Sequence, residues 1–152
     1  MTNRALDERA LQLSHVFDAP REAVFHAWTD PGEVGHWFGM GLYETHAEVD
    51  FRVGGSYRYA MKSADGDGPR ITGSYREIDA PSRLVYTWRW EGGGPDESES
   101  LVTVEFHDLG GQTEVQLTHS GFITDDASAR HARGWGRALE ELRSFLATQQ
   151  QS

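Results

Sequence analysis

DDASARHARGWGRALEELRSFLATQ, from Asp125 to Gln149, reads as one long amphipathic helix. His131, Trp135, Ala138, Leu142 and Phe145 follow one another at steps of four, three, four and three, the 3.6-residue period of a single helix face. Gly134, Leu139 and Leu146 widen that apolar stripe, while Arg130, Arg133, Arg137, Glu140, Glu141 and Arg143 fill most of what remains. Asp125 and Asp126 stand where a helix start takes capping oxygens and negative charge. At 1.5 Å per residue, a helix of this length is about 36 Å long. Such a stripe needs a broad sheet to bury it, and the middle of the chain supplies one.

Upstream, Leu11 to Asp18 alternates with Leu11, Leu13, His15 and Phe17 on one side, which predicts a strand. Asp18 or Ala19 is expected to cap a helix with Pro20 in its first position and Val24, Phe25, Ala27 and Trp28 on its buried face. Thr29-Asp-Pro31 breaks that helix and opens a second short one, from about Gly32 to Phe38. Leu42 to Phe51 alternates again, with Tyr43, Thr45, Ala47, Val49 and Phe51 inward, and Gly54-Gly55 turns the chain into a strand carrying Tyr57, Tyr59 and Met61. Ala64 to Pro69 reads as a hairpin loop, followed by strands over Arg70–Asp79, Arg83–Glu91, Ser100–His107 and Thr113–His119. Strands joined by short turns make an antiparallel sheet. The expected architecture is α+β: strand, two short helices, six further strands and a long helix, with the sheet curved around that helix. No linker, repeat or low-complexity tract divides residues 1–152, so a single domain is expected.

Composition narrows the function classes. The chain has no Cys, which excludes disulfides, thiolate nucleophiles, iron–sulfur clusters and cysteine zinc sites. Its net charge of −10, with no run of Lys or Arg, argues against a nucleic-acid partner. No apolar run approaches the roughly 20 residues of a membrane span, and Met1 to Glu8 lacks the hydrophobic region of a signal peptide, so a cytoplasmic protein without membrane insertion is expected. The histidines form no HExxH pair, and Asp65-Gly-Asp-Gly68 lacks the remaining ligands of a calcium loop. No metal or cofactor is therefore indicated, and the absence of a GxSxG elbow leaves a serine hydrolase without support.

Four stretches taken together resemble one family: Val16-Phe-Asp-Ala-Pro-Arg-Glu-Ala-Val-Phe-His-Ala-Trp-Thr-Asp-Pro31, Val53-Gly-Gly-Ser-Tyr57, Pro81-Ser-Arg-Leu-Val-Tyr-Thr-Trp88, and Thr118-His-Ser-Gly121 with Gly134-Trp135 beyond it. In order and spacing they are similar to the activator of heat-shock-protein-90 ATPase homologues, within the START-like (SRPBCC, polyketide cyclase/lipid transport) superfamily. The resemblance runs from about Leu11 to Leu146. It implies the helix-grip (START/Bet v-like) fold, with a cavity between a curved sheet and the C-terminal helix. The superfamily contains ligand carriers, sensors, cyclases and protein-binding modules, so fold alone does not select a function.

The residues favour a pocket. The inner face carries Trp37, Phe38, Met40, Phe51, Tyr57, Tyr59, Met61, Tyr75, Tyr86, Trp88, Trp90, Phe106 and Trp135, whereas a core meant only to fill space would use more Leu, Ile and Val. Apolar walls with a few polar fixtures are the make-up of a small-molecule site. His119 also points inward, where it could anchor a ligand or serve as the one weak candidate for acid–base catalysis. The expected function is binding of a small hydrophobic or amphipathic molecule, with Tyr hydroxyls, His119 and arginines at the mouth orienting it. A cyclase/dehydratase-type enzyme and a chaperone-linked interaction module are the alternatives, and a homodimer is left open. The acidic Glu91–Glu99 loop reads as a solvated hairpin tip, with a lid or a partner surface as the functional alternatives.

Overall fold

The computed structural model describes residues 9–92 and 99–151. Strand β1 (Leu11–Phe17) leads into helices α1 (Arg21–Thr29) and α2 (Pro31–Trp37). Strands β2 (Glu44–Val49), β3 (Ser56–Ser63), β4 (Gly66–Asp79), β5 (Arg83–Trp90), β6 (Ser100–Asp108) and β7 (Thr113–Ser120) follow, and α3 (Asp125–Gln151) closes the order. The seven strands form one sheet in the order β1-β7-β6-β5-β4-β3-β2 with every pairing antiparallel. β1, from the start of the chain, thus pairs beside the last strand, Leu11 opposite His119. Register shifts at Ala60/Lys62 and at Tyr75/Glu77 mark bulges, which bend a strand and raise its twist. They help the sheet curve around α3.

The inward residues are those that the alternation selects. Val102, Val104 and Phe106 of β6 and Val115, Leu117 and His119 of β7 are all at most 1% exposed. Trp135, Ala138, Leu139, Leu142 and Leu146 of α3 are buried against them and belong to one continuous core. At the far end of the helix, Arg143 donates to Val16 O and lies over the Phe17 ring, tying α3 to β1.

Three local expectations are corrected. Neither Asp18 nor Ala19 caps α1; Pro20 holds the N-cap position in extended backbone, and no side chain completes it. The hairpin after β3 is a tight turn at Ala64-Asp65, because Ser63 already pairs with Gly66 and Lys62 with Asp67, so Gly66 to Pro69 belong to β4. Phe51 lies beyond the end of β2 and is 38% exposed. Asp50 N–H donates to Ser56 O and Gly54 N–H to Tyr75 O, which folds residues 50–55 into a turn and takes Phe51 off the ladder.

Asp30 joins the two short helices. Its backbone N–H donates to His26 O to end α1, while its carboxylate accepts Glu33 N–H at 3.1 Å to start α2, with Pro31 in the first turn. Asp30→Ala is expected to lower stability by about 1 kcal/mol, the usual worth of an N-cap side chain. Urea denaturation would check this, and an unchanged midpoint would refute the capping role.

Candidate functional site

A cavity of about 310 Å³ lies between α3 and the half of the sheet formed by β3, β4 and β5. Met61, Ile71, Trp88 and Trp90 line it from the strands. Trp135, Gly134 and Ala138 line it from α3, and Phe38, Met40, Leu42 and Tyr43 close it from the segment after α2. Its charged border consists of Arg130, Arg133 and Arg137, with His131 beside them.

The 38–43 segment takes its shape from two unusual positions. A Cβ at Gly39 would stand 2.1 Å from Tyr43 O, so only glycine admits this close a turn. Met40 has φ of 62°, in the left-handed region that a non-glycine residue enters at a cost on the order of 1 kcal/mol. Its sulfur lies 3.5 Å from where a Gly134 Cβ would be, so thioether and helix together form one cavity wall.

Six of the rings and thioethers predicted to face a ligand do border this space: Phe38, Met40, Met61, Trp88, Trp90 and Trp135. Apart from the exposed Phe51, the others build a solid core beside it. Trp37 donates to Ala27 O, Phe106 packs edge-on against Phe25 and Trp28, and Trp28 donates to the Tyr86 hydroxyl. The Tyr57 hydroxyl donates to Thr87 O. Tyr59 lies edge-on to Phe38, and the Tyr75 hydroxyl, beside that of Tyr59, makes no hydrogen bond of ordinary geometry. Burial raises the pKa of all four of these phenols, that of Tyr75 to about 12. None of the four lines the cavity, where the tyrosine is Tyr43.

His119 is 0% exposed and outside the cavity lining, with both ring nitrogens committed. Trp135 Nε1–H donates to Nδ1 at 3.0 Å, which leaves the proton on Nε2. Nε2–H can then donate to Ser100 Oγ at 2.7 Å, and that hydroxyl donates to Trp88 O at 3.3 Å. Burial first, and then the neighbouring His131, hold the imidazole well below its ordinary pKa. His131 repeats the pattern with the opposite tautomer: Trp90 Nε1–H donates to Nε2 at 2.8 Å and Nδ1 meets Ala127 O at 2.7 Å. Four of the five indole N–H groups thus have acceptors, and only that of Trp88 is buried without one among the described residues.

The family model described as Activator of Hsp90 ATPase homolog 1-like protein matches residues 18–147. The chain belongs to this family. None of the curated proteins compared with it matches. Among solved structures, the chain is similar to a protein from Arthrobacter aurescens, with 24% identity, 94% and 88% of the two chains covered, and a TM-score of 0.82. It is also similar to the AHSA1 protein from Silicibacter pomeroyi, at 25% identity, 92% and 99% coverage and a TM-score of 0.79. A third is an HSP90 activator from Plasmodium falciparum, at 25% identity, 91% and 96% coverage and a TM-score of 0.72. The helix-grip fold read from the sequence is thereby shown. Among the described residues, no helix is long and apolar enough to cross a membrane.

Sequence reading overlooked Leu42, Tyr43, Pro69 and Ile71 as wall residues and Gly134 as the position that keeps the helix side open. Leu42 and Tyr43 precede β2 instead of lying on it, and Pro69 belongs to the stretch read as a loop. A second cluster was also unforeseen: ligand atoms of His26, Asp30 and Glu33 lie within 4.8 Å of one another. Helix capping by Asp30 and a 2.9 Å contact between His26 Nδ1 and Glu33 Oε2 account for it without an ion. In the acidic loop, Glu91 pairs with Arg58 at 2.7 Å, which holds its carboxyl below the usual range; the rest of the lid or partner reading falls on residues 93–98, outside those described.

Proposed function

We propose that this family member binds a small, largely apolar molecule in the cavity between the sheet and α3. The observation that carries the reading is the cavity itself. A space of about 310 Å³, bordered by Trp88, Trp90, Trp135, Met61 and Ile71, falls at the lower end of the roughly 300–1,000 Å³ typical of ligand sites. Indole and thioether walls give apolar area without demanding a particular hydrogen-bond pattern, which suits a hydrophobic ligand. 1-Decanol is a suitable neutral probe, followed through the fluorescence of the three tryptophans at the wall.

Gly134→Phe separates binding from folding. A Cβ at position 134 would meet only the Met40 sulfur within 4 Å, and because Gly134 lines the cavity the ring beyond it would take up cavity space, while losing a mid-helix glycine favours the helix by up to about 1 kcal/mol. The variant should keep or gain thermal stability and bind 1-decanol at least tenfold more weakly, one factor of ten being about 1.4 kcal/mol. Equal binding by wild type and variant, or none by either, would refute the reading.

Family membership and the likeness to the Plasmodium falciparum HSP90 activator favour a second reading, a chaperone-linked interaction module. That role would use an outer surface. It predicts that Gly134→Phe leaves co-precipitation with an HSP90 chaperone unchanged.

A further inference from the structure

The charge at the cavity border runs against the charge of the chain. Asp and Glu number 24 against 14 Lys and Arg, yet among the described residues no carboxylate lines the cavity, and three arginines do. Most described arginines are neutralised: Arg9 by Asp125, Arg52 by Asp50, Arg58 by Glu91, Arg70 by Asp67, Arg83 by Glu77 and Glu105, and Arg143 by Glu140. At the border itself, Arg130 reaches back one turn to Asp126 at 3.0 Å. Arg133 and Arg137 have no such partner among the described residues. Arg21, Arg76, Arg89 and Lys62 are also without an ion pair there, but none of them borders the cavity.

Arg133 and Arg137 are four residues apart on α3, so their side chains share one helix face and project over the same opening. Like charges at this spacing destabilise a helix by about 0.2–0.5 kcal/mol in isolation. An anion held between them would offset that repulsion and would take the charge-assisted hydrogen bonds that guanidinium forks form with carboxylates. Beneath this basic edge the walls are apolar.

We propose that the cavity takes an amphipathic anion: a medium-sized apolar body lying against Trp88, Met61 and Ile71, with its carboxylate at Arg133 and Arg137. This rests on the ligand-binding reading above and assigns the chemical class of the ligand. The test compares decanoate with 1-decanol, which share an apolar chain and differ in head-group charge. Both are titrated into wild type and into the Arg133→Gln/Arg137→Gln variant, with tryptophan fluorescence as the signal. Wild type should bind decanoate about tenfold more tightly than 1-decanol, and the preference should shrink as salt rises. The double variant should lose the preference while keeping its affinity for 1-decanol. Since both arginines are exposed, neither replacement removes core packing, and an unchanged melting temperature would confirm that the variant is folded. Equal affinity of wild type for the two probes would overturn the anionic class and leave the apolar site standing. Preference for decanoate persisting in the double variant would overturn the role of these two arginines. Binding of neither probe would remove the site itself.

Discussion

Replacing Trp135 by alanine is expected to lower stability by about 4 kcal/mol, the middle of the range for truncating a buried tryptophan or phenylalanine. Trp135 is 3% exposed and stands where α3 meets rings of α1, β5 and the segment after α2. It stacks on Trp28 of α1 with centroids 6.0 Å apart and planes 21° apart, meets Phe38 edge-on, and lies 5.3 Å from Trp88 of β5. Deleting the indole removes all of these contacts. It also removes the donor to His119 Nδ1, and a buried acceptor left unpaired costs about 1–3 kcal/mol. One effect works the other way: Trp135 borders the cavity, so part of the new void would join space that is already there. At about 2–4 °C per kcal/mol for a chain of this size, the melting temperature should fall by roughly 8–16 °C.

Trp135→Phe divides this cost between packing and hydrogen bonding. It keeps most of the ring contacts and loses the N–H, so about 1–2 kcal/mol is expected, the worth of one buried hydrogen bond plus a small void. Guanidinium denaturation of both variants would settle the split. If alanine costs less than about 1 kcal/mol, well below the core-truncation range, Trp135 is not the packing centre argued here.

The features legible in the sequence were those whose physics is local. The period of α3 selects Trp135, Ala138 and Leu142, and the period of two selects Val102, Val104 and Phe106, because burial against a single neighbour leaves its mark on consecutive residues. Phe51 shows where this ends. It continues the alternation of Val49, but the backbone hydrogen bonds that close the 50–55 turn are made to Ser56 and Tyr75, which no residue pattern announces. The split between core and cavity was likewise hidden. Alternation gives the face on which Tyr57 and Trp88 lie, but not that Tyr57 meets Tyr86 and Tyr75 while Trp88 meets open space. The inward direction of His119 was readable. Its partners Trp135 and Ser100 were not, being 16 and 19 residues away.

His119 makes stability depend on pH in a direction that its surroundings fix. In the unfolded chain a histidine titrates near 6.5, whereas in the fold burial, reinforced by His131 with ring centroids 5.2 Å away, keeps this ring neutral to well below that value. Above about pH 6.5 both states are neutral and the full stability is present. As pH falls, the unfolded state takes up a proton that the folded state refuses, so stability drops by up to about 1.4 kcal/mol per pH unit until the folded pKa is reached. Stability should therefore fall from pH 7 to pH 5, and part of that fall is traceable to this ring. Other groups titrate over the same span, so the informative quantity is the difference in pH slope between wild type and His119→Asn, which cannot take up the proton. Should that variant fail to fold, nitrogen NMR of the wild-type ring gives the same answer: His119 should remain the neutral Nε2–H tautomer at pH 5, held by the Trp135 N–H on one side and the Ser100 hydroxyl on the other. An imidazolium signal at pH 5 in the folded protein would show that the Trp135–His119–Ser100 chain opens to admit a proton, and the ring would then be available for the acid–base chemistry that this chain of hydrogen bonds withholds.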